Sequence, residues 1–345
     1  MKMNFEYDNL KNRSRNIDVI KGVCVFFIVL GHVNSIGNVE LQKIIFSFHV
    51  PIFAVISGFL ARDYKEGSNK IKFRAFFLKK LKALLIPYYI YVCLYSVYSL
   101  YSVYLGNIDW NHFRMMSIDR LIGTDAANIG PVWFLMALFS VQIIDWFIQK
   151  YARGQYVYVL VGIVALIWSM YFENIKAPLL LKNAGILLPY FGFGRMLKKG
   201  NFFDRKNYIV ISLIGLVIML FTSHFNSIVY FYTCDFGVPV IFLMETFSGC
   251  VGILGTLFYI VDKTSNFKWK MMSYAGKESL DIMAIHLYIH MPISIILGFY
   301  GIDLEGYLCN SFITILLWSF ILFLISFLCG HIFRKIYRRE LVKAK

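Results

Sequence analysis

Asn16 to Gly37, NIDVIKGVCVFFIVLGHVNSIG, is an apolar run of the length that spans a bilayer, yet it carries Lys21 and His32. A membrane helix needs about 20 mostly apolar residues, and this stretch supplies them. The two polar side chains lie eleven positions apart. That spacing is about three helical turns, or roughly 16 Å of rise, so both sit on nearly the same face. One falls near the starting edge of the membrane and the other deep within it. Ionisable groups in lipid are expensive and mark function by default. The plainer alternative is a lysine that snorkels to the interface and a histidine packed between helices.

The rest of the chain has the same character. Of its 345 residues 59% are apolar, 18% aromatic and only 16% charged, which excludes an ordinary soluble domain. Ten spans are predicted, at about 17–37, 44–61, 84–105, 130–149, 156–172, 178–197, 208–225, 236–261, 279–300 and 311–333. The expected fold is therefore an all-α polytopic membrane protein. The connections test that count: 30 of the 35 basic residues fall on one side, leaving Lys43, Arg114, Arg120, Lys176 and Lys182 for the other. The excess of positive charge on internal loops puts both termini in the cytoplasm. It also accounts for the net charge of +15 without nucleic acid as a partner.

No linker, internal repeat or cleavable leader is apparent, so residues 1–345 are expected to form a single membrane domain in the cytoplasmic membrane. Within it, residues 1–16 and 334–345 would be cytoplasmic segments around a core of 17–333. A short interfacial helix is expected around Trp110 to Ile122 in the longest outer loop. Residues 68–85 alternate basic side chains with Phe73, Phe76, Phe77, Leu78, Leu81 and Leu84, a pattern for an amphipathic helix on the inner leaflet. Its charges would meet lipid headgroups or form a basic mouth for an anionic ligand. The six cysteines show no CxxC spacing and read as mostly buried thiols, with a Cys234–Cys309 pair as the one pairing considered.

Depths follow from the rise per residue. His32 falls about 8 Å, and His49 and Glu245 each about 5 Å, outside the midpoints of their spans. Three ionisable groups thus share one depth, where a carboxylate could hold an imidazole in one tautomer for general-base work. The alternative for Glu245 is a structural bond to a hydroxyl or backbone group. His286 and His290 lie four apart on one helical face, but the spacing lacks the glutamate of HExxH and no metal is expected. Glu278 and Asp281 suit the positive end of a helix, and Asp145 reads as interfacial. There is no GxSxG, Walker loop or GxGxxG, which leaves serine-triad, P-loop and dinucleotide chemistry without support. A histidine without its own nucleophile is suited to deprotonating a substrate hydroxyl.

Five stretches carry a resemblance. Arg15 through Gly22 followed by His32 is similar to the opening signature of the bacterial membrane acyltransferase-3 family, a basic residue and a histidine with ten residues between them. Phe46 to Phe59, with His49, Pro51, Ser57 and Gly58, resembles its second helix. Leu81 to Tyr89, Gly130 to Leu135 and Ser279 to His286 resemble its later motifs in the same order. The resemblance implies transfer of an acetyl group from acetyl-CoA to a hydroxyl of a surface or exported glycan. It implies that His32 is catalytic with Lys21 as its basic partner; Glu245 is the candidate support by its depth alone. Lys72, Arg74, Lys80 and Lys82 would meet the CoA phosphates, although lysine lacks the bidentate fork of arginine. His49, Trp133 and His286 would line the acceptor site. Alternatives are another acyl group such as succinyl, a lipid or antibiotic acceptor, or a transporter relaying protons through buried His and Glu.

Overall fold

In the computed structural model, residues 2–34, 37–63, 72–152, 154–172, 175–264 and 269–343 are described. The helices are, in order, α1 (Lys2–Val33), α2 (Val39–Phe48), α3 (Pro51–Phe59), α4 (Phe73–Lys80) and α5 (Ile86–Tyr104). There follow α6 (Trp110–Ile122), α7 (Trp133–Tyr151), α8 (Tyr156–Tyr171), α9 (Leu181–Lys199) and α10 (Tyr208–Phe225). The last are α11 (Pro239–Lys263), α12 (Lys270–Lys277), α13 (Ser279–Phe299), α14 (Leu304–Asn310) and α15 (Phe312–Lys343). Helix accounts for 83% of the structure, and among the described residues there is no strand. It is an all-α polytopic membrane protein.

Among the described residues, eight helical segments are long and apolar enough to cross a membrane. The other two expected spans are present as helices of different character. Helix α8 has only 16 residues, and α9 carries Lys182, Arg195, Lys198 and Lys199. The helix expected at Trp110 to Ile122 is α6, capped by Asp109 at its start and by left-handed Gly123 at its end.

Two local breaks follow from proline. Between α2 and α3 the chain turns at His49 and Val50, because Pro51 has no N–H and disfavours helix in the residue before it. Between α4 and α5 there is no gap: a π turn at Leu81–Leu85 links them, with the Ile86 N–H bonded to the Leu81 carbonyl. Pro87 cannot donate to the carbonyl four residues back, and widening the turn accommodates that loss. The basic helix α4 thus runs directly into a membrane span, Phe73–Tyr104. Of the segment expected to lie on the leaflet, residues 68–71 fall outside the described residues.

The chain forms two compact units. The first comprises Met1–Phe53, Asn201–Val229 and Phe236–Lys345; the second comprises Ala54–Gly200 and Tyr230–Asp235. In the first, α1 lies against α12 at glycines: a Cβ on Gly22 would stand 2.0 Å from the Met272 carbonyl oxygen, and one on Gly276 would stand 1.6 Å from that of Asp18. Helices α10 and α11 meet in the same way through Gly215 and Gly252. Such close approach of small residues is how helices associate where apolar burial gives no net drive. In the second unit α3 and α9 do likewise, with Gly58 against the Phe191 carbonyl and Gly194 against that of Val55. All six cysteines are free thiols.

Candidate active site

The end of α1 is fixed by asparagines. Asn34 donates from Nδ2 to the Asn38 carbonyl at 2.7 Å and accepts the Asn38 N–H at 3.0 Å. Asn38 in turn caps α2, its Oδ1 accepting the Leu41 N–H at 2.9 Å. Gly31 leaves room for α2, since a Cβ there would be 2.9 Å from Ile45 and 3.0 Å from the Phe46 ring. The turn therefore brings His32 and the last turn of α2 together.

Three histidines converge there. His32 Nδ1 lies 2.9 Å from His286 Nε2, with the ring centroids 4.9 Å apart and the planes within 9°. His49 stands edge-on to His32 at 6.2 Å, and Phe46 contacts both, with centroids at 6.1 Å from His32 and 4.4 Å from His49. His49 and His286 are shut in, at 4% and 0% exposure, whereas His32 remains partly exposed. His49 Nδ1 donates to the Ile45 carbonyl at 3.1 Å. One turn beyond His286, His290 Nδ1 accepts the Trp318 indole N–H at 3.0 Å, so each member of the HxxxH pair has its own partner.

The other expected catalytic residues lie apart from the cluster. Lys21 pairs with Asp18 on its own helix at 2.8 Å. Glu245 is buried and accepts from Asn226 Nδ2 at 2.6 Å; among the described residues no imidazole bonds it. Asn226 also bonds the Phe236 carbonyl and the Val238 N–H, which ties the loop before α11 to that carboxylate. The side chain bonded to His32 is His286, not Glu245.

The second unit holds a cavity of about 290 Å³ lined by Ser57, Arg62, Phe76, Lys79, Lys80 and Gln142, among others. Among the described residues no carboxylate pairs with Arg62, Lys79 or Lys80, and the buried Gln142 Oε1 has no hydrogen-bond partner. Three cations around an unsatisfied amide make a recess suited to an anionic, oxygen-rich ligand. Of the four residues expected to meet phosphates, Lys80 lines this cavity; Lys72, Arg74 and Lys82 are exposed outside it. Trp133 is buried in the second unit.

Asp145, expected at the interface, is 1% exposed and gripped by Arg195, with Nε 2.7 Å from Oδ1 and Nη2 2.7 Å from Oδ2. Arg195 also donates to Asp63 at 2.9 Å and to the Arg62 carbonyl at 3.0 Å, and Lys198 donates to the Ala61 carbonyl at 2.7 Å. Together they hold the backbone that presents Arg62 to the cavity. The sequence signal was an arginine and an aspartate inside otherwise apolar helices, where an unpaired charge would be costly.

Fold and site define a multi-pass membrane protein with an imidazole cluster in one unit and a basic recess in the other. A family model described as an acyltransferase domain, acyltransferase-3, matches residues 14–334. The chain belongs to that family and is a membrane acyltransferase. No curated protein and no solved structure matches it.

Proposed function

We propose that the protein transfers an acetyl group from acetyl-CoA to a hydroxyl of a cell-surface or exported glycan, with His32 as general base. What carries this reading is the partly exposed His32 ring, held by a second histidine in a family that moves acyl groups. The base takes the proton of the acceptor hydroxyl as that oxygen attacks the thioester carbonyl. Collapse of the tetrahedral intermediate breaks the C–S bond, and the departing CoA thiolate recovers the proton from His32. The products are an acetyl ester and free CoA.

The cavity supports a phosphate-bearing donor, with Arg62, Lys79 and Lys80 as the cations for its phosphates. The one-sided distribution of basic residues supports a cytoplasmic membrane location, both termini inside, and a donor drawn from the cytosol. The test is acetyl-CoA consumption by purified protein in nanodiscs, with envelope glycan as acceptor, for wild type and His32→Ala. The expected loss is about 10²-fold or more in turnover, the usual range for removing a general base. Folded wild type that neither binds nor consumes acetyl-CoA would overturn the donor assignment.

A further inference from the structure

The hydrogen bonds around His286 determine which nitrogen of His32 is free. His286 Nδ1 lies 2.7 Å from the Met283 carbonyl oxygen and 3.3 Å from that of Ile282. A carbonyl oxygen only accepts, so His286 Nδ1 carries a hydrogen. A neutral imidazole with N–H at Nδ1 has a lone pair at Nε2. That lone pair is what His32 Nδ1 meets at 2.9 Å. The rings are side by side, since planes within 9° and centroids at 4.9 Å exclude a face-on stack with that N···N contact. In this arrangement an N–H of one ring lies in the plane of the other's lone pair. His32 Nδ1 must therefore be the donor, and its Nε2 is left unprotonated.

We infer that His286 is a positioning residue that sets the His32 tautomer, leaving Nε2 of His32 as the nitrogen that accepts the substrate proton. Among the described residues nothing bonds that nitrogen, and His32 is the one ring of the three that is not shut in. The direction of the chain is set by the backbone of α13, which cannot reverse its role as acceptor. Met283 and His286 are one turn apart in the same helix, so the anchor is local and rigid. His286 is fully buried, and the α13 backbone holds its ring in place. A neutral imidazole here orients the base without placing a fixed negative charge beside it. The inference rests on the reading of His32 as the base.

The test pairs two substitutions with two readouts. His286→Gln keeps an acceptor oxygen near the position of Nε2, whereas His286→Leu keeps similar bulk and removes the acceptor. Nitrogen-15 NMR of histidine-labelled protein in bilayers, with the His32 signals assigned through His32→Gln, should show Nδ1 protonated and Nε2 bare in wild type. His286→Leu should lose that preference and His286→Gln retain it. Turnover should fall about 10²-fold in His286→Leu with KM for acetyl-CoA unchanged, and His286→Gln should recover to within about tenfold of wild type, as expected for orientation of a base.

A wild-type His32 protonated at Nε2, or a tautomer unmoved in His286→Leu, would overturn the inference. So would equal losses in the two variants at equal melting temperature. Wild type that shows the expected tautomer but never turns over acetyl-CoA would count against the proposed function, not against the hydrogen-bond chain. The NMR readout thus separates the two failures.

Discussion

Arg195→Lys separates charge from geometry in the second unit. The guanidinium forks onto both oxygens of Asp145 at 2.7 Å and also reaches Asp63 at 2.9 Å and the Arg62 carbonyl at 3.0 Å. A lysine keeps the charge but offers its donors from a single point, so it can satisfy only part of this set. Losing one charge-assisted hydrogen bond costs about 1.5–3 kcal/mol. Arg195→Met costs more, because Asp145 would be left as an uncompensated buried charge, worth about 3–5 kcal/mol. The double variant Arg195→Met with Asp145→Leu removes both charges and should fall well short of the summed single effects. Unfolding of purified protein in detergent measures all of these. With acetyl-CoA as the proposed donor in the cavity, the lysine variant also loosens the backbone that carries Arg62, so KM for acetyl-CoA should rise about tenfold, or 1.4 kcal/mol, with kcat nearly unchanged. A wild-type melting temperature for Arg195→Met, or strictly additive losses in the double variant, would refute the reasoning.

Two further outcomes concern the first unit and the loop around α6. Gly22→Ala puts a methyl 2.0 Å from the Met272 carbonyl oxygen, so α1 and α12 must separate. The expected cost is about 1–3 kcal/mol of stability, read as a lower melting temperature. In the loop, burial pushes the Asp119 carboxyl up, but hydrogen bonds from Thr124, Asn128 and Lys176 together outweigh it and hold the group below the usual carboxylate range. A lowered carboxyl contributes stability above its unfolded value of about 4 and loses it as pH falls further through the folded value. Melting temperature should therefore drop below about pH 4, and Asp119→Asn should be less stable at neutral pH and show a flatter acid profile.

Much of the fold was legible because lipid leaves a chain few choices. Runs of about 20 apolar residues must be helical, and each of the ten expected stretches is mainly helical, the second broken into α2 and α3 before Pro51. Which of them are long and apolar enough was less legible: α8 is short and α9 carries four basic residues, features that hydropathy over a fixed length does not resolve. The basic segment expected to lie on the inner leaflet runs into its span through a π turn at Leu81–Leu85, a join that apolar periodicity cannot reveal. His32, His49 and His286 were legible as polar residues in lipid. That they meet was not, since it depends on the Asn34–Asn38 turn and on the face that α13 presents. Depth alone suggested Glu245 as the support for an imidazole; Asn226, outside any apolar run, takes that carboxylate instead.

The quoted motifs divide by physical role once the packing is known. Gly22 and Gly58 lie in the two most distinctive stretches, and each stands where a methyl would strike a backbone carbonyl, 2.0 Å from Met272 and 1.9 Å from Phe191. Neither residue does chemistry. They let one helix approach another closely enough to bring its neighbours into place: α1 carries His32, and α3 carries Ser57 at the cavity wall. In lipid, where apolar burial gives helices little reason to associate, such contacts determine helix position to within an ångström. The proposed role of His32 as general base needs that tolerance, because a displacement of about 1 Å can cost 10²-fold in rate. The glycines and the histidine of one motif are therefore parts of a single requirement: a close helix contact, and the imidazole that the contact aims.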